Sequence, residues 1–247
     1  VYKRQVFGRV AEWSDGLGPF KFMPGIVVGA ILVGPLVTRA ASEARGHGVP
    51  EVIEAVNRRG GRIRTRVASV KALASALTIS SGGSAGREGP IVQIGSALGS
   101  ALARSFRMSD RRRSTFVAAG AAAGIAAIFN APLAGVFFAL EVILRSFTAR
   151  GFSTVVISAV TANAVWRVLV GDESVLSAEV HKLIHPTELL LYLVLGVVAA
   201  VVAVGFVKLL YFVEDQFELL PVLADLRPAI GAVAVGLMGA ILSLIHI

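Results

Sequence analysis

The residues best placed to do chemistry in this chain stand at glycine- and proline-rich breaks in apolar segments. In Gly86-Arg87-Glu88-Gly89-Pro90, Pro90 suits the first turn of a helix and the glycines free the backbone just before it, so Glu88 falls where N–H groups lack intrahelical partners. A carboxylate there is stabilised by the helix dipole, yet a free anion could use the same donors. Glu88 can therefore compete with an anion for one site, the plain alternative being a capping glutamate in a turn. Gly46-His47-Gly48-Val49-Pro50-Glu51 repeats the arrangement ahead of a short helix expected over residues 51–57. It makes a second helix N-terminus with His47 at its tip, although a solitary histidine is more often a hydrogen-bonded structural residue. No Lys-Ser or Lys-Thr follows the glycines, which argues against a phosphate-cradling loop. No second histidine or carboxylate stands at metal-ligand spacing, so no metal and no cofactor is expected. A membrane enzyme using His47 with Glu51 or Glu88 as acid and base would lack a nucleophile.

A third run, from Gly120 through Asn130-Ala131-Pro132 to Glu141-Val142, is rich in small residues, with Gly120 and Gly124 at the spacing that lets helices pack closely. Lys71, Glu141 and Arg167 lie within or beside apolar segments, where an ionisable group is a functional candidate, though buried pairs and snorkelling also account for such residues.

The elements that must position these residues are those of a polytopic membrane protein. Of 247 residues, 55% are hydrophobic and only 16% charged, against about 25% charged in a soluble domain. The net charge of +8 comes from arginines that punctuate apolar runs rather than line one face, so the partner is the lipid bilayer and not nucleic acid. With no cysteine, disulfides and thiolate chemistry are excluded. Residues 22–38, 152–170, 187–213 and 228 onward approach the ~20 apolar residues of a spanning helix. Residues 67–79 and 90–103 are too short to span, and 116–143 is broken at Asn130-Ala131-Pro132. Irregular backbone at membrane depth is tolerated only when buried in protein or lining a water-filled cavity, so these breaks mark the expected transport path. The clusters Arg58-Arg59-Arg62-Arg64-Arg66 and Arg104-Arg107-Arg111-Arg112-Arg113 flank the central pair. If both are cytoplasmic, residues 67–103 are re-entrant; two half-helices sharing one crossing fit the sequence equally. The expected domain is residues 6–242, with residues 1–5 and 243–247 read as non-native ends of a fragment.

Together the three motifs, in this order, resemble the CLC family of chloride channels and chloride/proton antiporters. GREGP resembles its gating-glutamate motif, GHGVPE its GSGIPE selectivity motif, and GIAAIFNAPLAGVFFALEV its GLAAAFNAPLAGxLFxxEE stretch. The resemblance implies an all-α, inverted-repeat membrane homodimer, present here mostly as its first half, in a bacterial inner (plasma) membrane, with chloride as ligand. It implies that Glu88 is the gate and that Arg87 and Gly89 flank the external anion site, with Gly46, His47, Gly48 and Val49 at the central one. His47 stands where the family carries serine; imidazole is bulkier and becomes cationic near pH about 6.5. Glu141 matches the first of the family's paired glutamates, while the second, associated with proton access from the cytoplasm, is Val142. Valine cannot hold a proton, and Glu141 points about 100° away on an α-helix. The expectation is passive chloride conduction gated by Glu88, with proton-coupled exchange of chloride, fluoride or nitrate as the rival.

Overall fold

In the computed structural model, residues 23–171 and 185–243 are described; residues 1–5 and all but Ser243 of 243–247 lie outside them. Among the described residues the secondary structure is helical, without strands. The elements are α1 (Met23–Pro35), continued by a π-helical turn over Leu36–Ala40; α2 (Val49–Arg58); α3 (Thr65–Ser80); α4 (Glu88–Ser105); α5 (Asp110–Phe129); α6 (Pro132–Phe137), continued as a π-helix over Phe138–Leu144; α7 (Ala149–Leu169); α8 (Glu188–Glu218); and α9 (Arg227–Ser243). Among the described residues three stretches are long and apolar enough to cross a membrane: Met23–Ala40, Ala149–Leu169 and Glu188–Glu218. The chain divides into two units. The second, Leu176–Leu223, carries α8, whose 31 residues include none that is buried and expose a largely apolar surface interrupted by Lys208.

In the first unit, α4 and α5 form the centre. Gly95 and Gly120 back onto each other so closely that a β-carbon on either would run into the other's carbonyl, and Gly99 meets the Phe116 carbonyl in the same way. This is the close helix approach expected of the small-residue run, and α7 and α6 pack against the far side of α5. Gly29 of α1 rests on Ser81, and α9 packs along α1, pinned where Thr38 and Arg39 both donate to the Asp225 carboxylate, Arg39 at 2.7 Å.

The breaks fall where the proline and glycine residues put them. α5 ends at Phe129 with Asn130 in the left-handed region (φ 52°), a conformation asparagine tolerates, and Pro132 opens α6. Both arginine clusters lie at one end of the unit. Arg62 reaches Asp110 at 3.3 Å, Arg104 donates to the Ile63 carbonyl at 3.0 Å, and Ser100 bridges Ile63 N–H and Gly61 C=O at 3.0 and 2.6 Å. Thus α3 leaves that end and α4 returns to it, which is the re-entrant arrangement. At 16 and 18 residues they extend about 24 and 27 Å, short of the ~30 Å hydrocarbon core.

Candidate anion site

The segment before α2 turns sharply because two glycines adopt positive φ, Gly46 at 70° and Gly48 at 88°, a region β-carbons disfavour. Gly48 is the N-cap of α2, and the helix begins with Val52 N–H donating to the Gly48 carbonyl at 3.2 Å. In α4 the first such bond runs from Ile91 N–H to Arg87 C=O at 3.1 Å. Among the described residues nothing accepts from the N–H groups of His47, Gly48, Val49, Arg87, Glu88 or Gly89. Pro50 and Pro90, in the first turns, have no N–H to offer.

These two helix starts touch. Gly89 is pressed against the His47 carbonyl, and a β-carbon on Gly48 would lie 3.0 Å from the Gly89 carbonyl and 3.1 Å from Gln93 Oε1. Each N-terminus carries about half a positive charge, and their juxtaposition concentrates free donors and positive potential in one place. Glu88 is exposed, and its carboxylate curls back over Gly86 without capping either helix. The capping reading is therefore not the arrangement observed. His47 is exposed and makes no side-chain hydrogen bond among the described residues.

The backbone of this loop is gripped from the protein side by two residues that sequence reasoning used little. Lys71, 5% exposed in α3, donates to the carbonyls of Ala44 at 3.0 Å and Gly46 at 2.7 Å. Gln93, fully buried in α4, donates to the Glu43 carbonyl at 2.6 Å. The Glu43 side chain pairs with Arg64, whose guanidinium holds that carboxyl below its ordinary range. The available signal was a lone ammonium and a lone amide inside apolar helices, but neither partner was readable, since all lie 25 or more residues away.

Glu141 and Val142 belong to a stretch that packs against α2, the helix that begins at Gly48. They lie in the π-helical stretch Phe138–Leu144, whose wider turn replaces the α geometry expected from sequence. Ala139, Leu140 and Ile143 are buried while Glu141 and Val142 are both exposed. Consecutive residues on this wider turn still point about 80° apart, so Glu141 and Val142 are directed differently here too. Arg167 sits in the last turn of α7.

The comparisons with known proteins agree with this architecture. The family model for voltage gated chloride channel proteins matches residues 29–246. An H(+)/Cl(-) exchange transporter, ClcA, of Vibrio cholerae serotype O1 (strain M66-2) is 39% identical over 185 residues, which are 74% of this chain and 40% of that protein. ClcA of Yersinia pestis bv. Antiqua (strain Angola) is 35% identical over 213 residues, 84% of this chain and 44% of that one. The crystal structure of a slow cyanobacterial Cl-/H+ antiporter superposes with a TM-score of 0.82 at 25% identity, covering 97% of this chain and 59% of that chain. That of a eukaryotic CLC transporter superposes with a TM-score of 0.78 at 23% identity, covering 96% and 45%; it shows the shared fold. The chain belongs to the voltage gated chloride channel (CLC) family of integral membrane proteins and has the family's helical fold. It spans less than half the length of the curated relatives it matches.

Proposed function

We propose that this chain supplies the Glu88 gate and the His47 turn of a CLC-type transporter that exchanges chloride for protons across a bacterial inner membrane. The observation that carries the reading is the contact of the α2 and α4 N-termini, with unpaired N–H groups at Gly48, Val49, Glu88 and Gly89 and an uncommitted Glu88 carboxylate beside them. Such donors bind a small anion without base or nucleophile chemistry, and the carboxylate competes for them until it takes up a proton. One group thereby answers to both ions. The Arg-rich end, where the two clusters meet, faces the cytoplasm by the positive-inside rule, and the protein works as a homodimer.

Passive conduction, the reading that Val142 favours from sequence, takes second place. The ClcA relatives are named as H(+)/Cl(-) exchange transporters, and Glu141 is an exposed carboxylate one residue from Val142. Glu141 is then the group to hold the inner proton. The direct test of anion transport is chloride efflux from liposomes holding the full-length protein. Efflux above protein-free vesicles that is abolished by disrupting the Gly48 and Gly89 turns supports the reading, and none above background contradicts it.

A further inference from the structure

A loop lining an anion path has two polarities to dispose of, since each peptide offers a donor the anion wants and an acceptor that repels it. In the segment before α2 most of these are sorted, although among the described residues the Arg45 carbonyl accepts no hydrogen bond and the His47 carbonyl lies against Gly89. The Ala41 and Ser42 carbonyls accept from Ala44 and Arg45 N–H at 3.0 and 3.1 Å, Glu43 from Gln93, Ala44 and Gly46 from Lys71, and Gly48 from Val52 N–H. The N–H groups of His47, Gly48 and Val49 remain without protein acceptors.

We propose that Lys71 and Gln93 are positioning residues for anion binding: together they hold three carbonyls off the anion path, so that the His47 turn presents its N–H groups to the anion. The inference rests on the anion-transport reading given above and deepens it. The two side chains suit the task for different reasons. Lys71 forms no ion pair among the described residues, so its ammonium is spent on the two carbonyls rather than on a carboxylate. Gln93 reaches Glu43 with Nε2, the only one of its two terminal atoms able to donate to a carbonyl, which fixes the amide's orientation. The consequence is that Oε1 is buried with no partner, next to Gly48. An orphaned buried acceptor costs stability, and a residue kept solely for packing would not carry one. Gly48 adds to the argument, because any β-carbon there would press on Gln93 and on the Gly89 carbonyl.

The test compares Lys71→Met and Gln93→Met in the full-length protein, reading chloride affinity by calorimetry and chloride flux per folded molecule in liposomes. Gln93→Met removes the clamp on Glu43 without changing charge, and also removes the orphaned oxygen. It is therefore expected to fold as well as or better than wild type while binding chloride about 3- to 10-fold more weakly, the loss of one hydrogen bond's positioning effect. Lys71→Met should weaken binding about tenfold or more, and the double variant should lose less than the product of the two, since both hold one loop. Wild-type affinity and flux in Gln93→Met would overturn the proposal and leave Lys71 as a source of positive potential alone. Failure of Gln93→Met to fold would also overturn it, by showing that the amide serves the core. Absence of chloride binding and flux in the wild-type protein would instead overturn the anion-transport reading on which it stands.

Discussion

Gly89 lies against the backbone carbonyl of His47, so closely that the start of α4 and the turn before α2 have no room for a methyl group between them. The contact joins the two motifs, 40 residues apart in the chain, through backbone atoms alone. Gly89→Ala must push the helix starts apart, at a cost of about 1–3 kcal/mol for overpacking a tight contact. Its thermal unfolding temperature in detergent should fall and its chloride affinity with it. Unchanged affinity in a stably folded Gly89→Ala protein would separate the two N-termini functionally.

Glu88 makes no cap, so Glu88→Gln should leave the yield of folded protein intact. Because the neutral side chain no longer competes for the N–H donors, chloride flux should rise and its pH dependence should flatten. A capping glutamate would behave in the opposite way, losing about 0.5–2 kcal/mol of stability with the pH profile preserved. Yield and the flux profile across pH distinguish them.

For His47, exposed at the tip of the turn, the expected result of His47→Ser is normal folding with altered selectivity among chloride, nitrate and fluoride. The pH response of the flux should change with it, since serine carries no ionisable group in this range. Matching selectivity and pH response in the two proteins would remove His47 from the site.

The helix breaks were legible because Gly-rich stretches and Asn130-Ala131-Pro132 restrict the backbone locally, whatever packs around them. The helix of residues 67–79 emerged as Thr65–Ser80 and that of 90–103 as Glu88–Ser105. What was not legible depends on distance along the chain. The re-entrant path is fixed by Arg62 meeting Asp110 and Ser100 meeting Gly61, and the carbonyl clamp by Lys71 and Gln93, contacts that no local pattern encodes. The π-helix at Phe138–Leu144 escaped for another reason: its composition is that of an ordinary apolar helix, and one residue per turn changes which side chains share a face.

The pair of Glu43 and Arg64 sets a pH limit on the loop. Arg64 holds the Glu43 carboxyl below its ordinary value, so the folded state favours the charged form; this contribution is complete above the unfolded carboxyl's range and is lost as pH falls through the lower folded value. Both partners are partly exposed, 49% and 20%, which limits the effect to about 0.2–1 kcal/mol. Arg64→Ala should lower the unfolding temperature near neutral pH, and the difference from wild type should shrink on acidification to about pH 3.5, below the ordinary carboxyl range. A difference independent of pH would mean that Arg64 acts by packing.

The central claim is that one carboxylate at paired helix N-termini exchanges chloride for protons. It is tested most directly by imposing a chloride gradient on liposomes containing the full-length protein and recording the pH inside, with Glu141→Gln alongside. The account predicts uphill proton movement driven by chloride, abolished by a protonophore and lost in Glu141→Gln while chloride flux persists. Chloride flux with no proton movement, and a reversal potential set by the chloride gradient alone, would contradict it and return the protein to passive conduction.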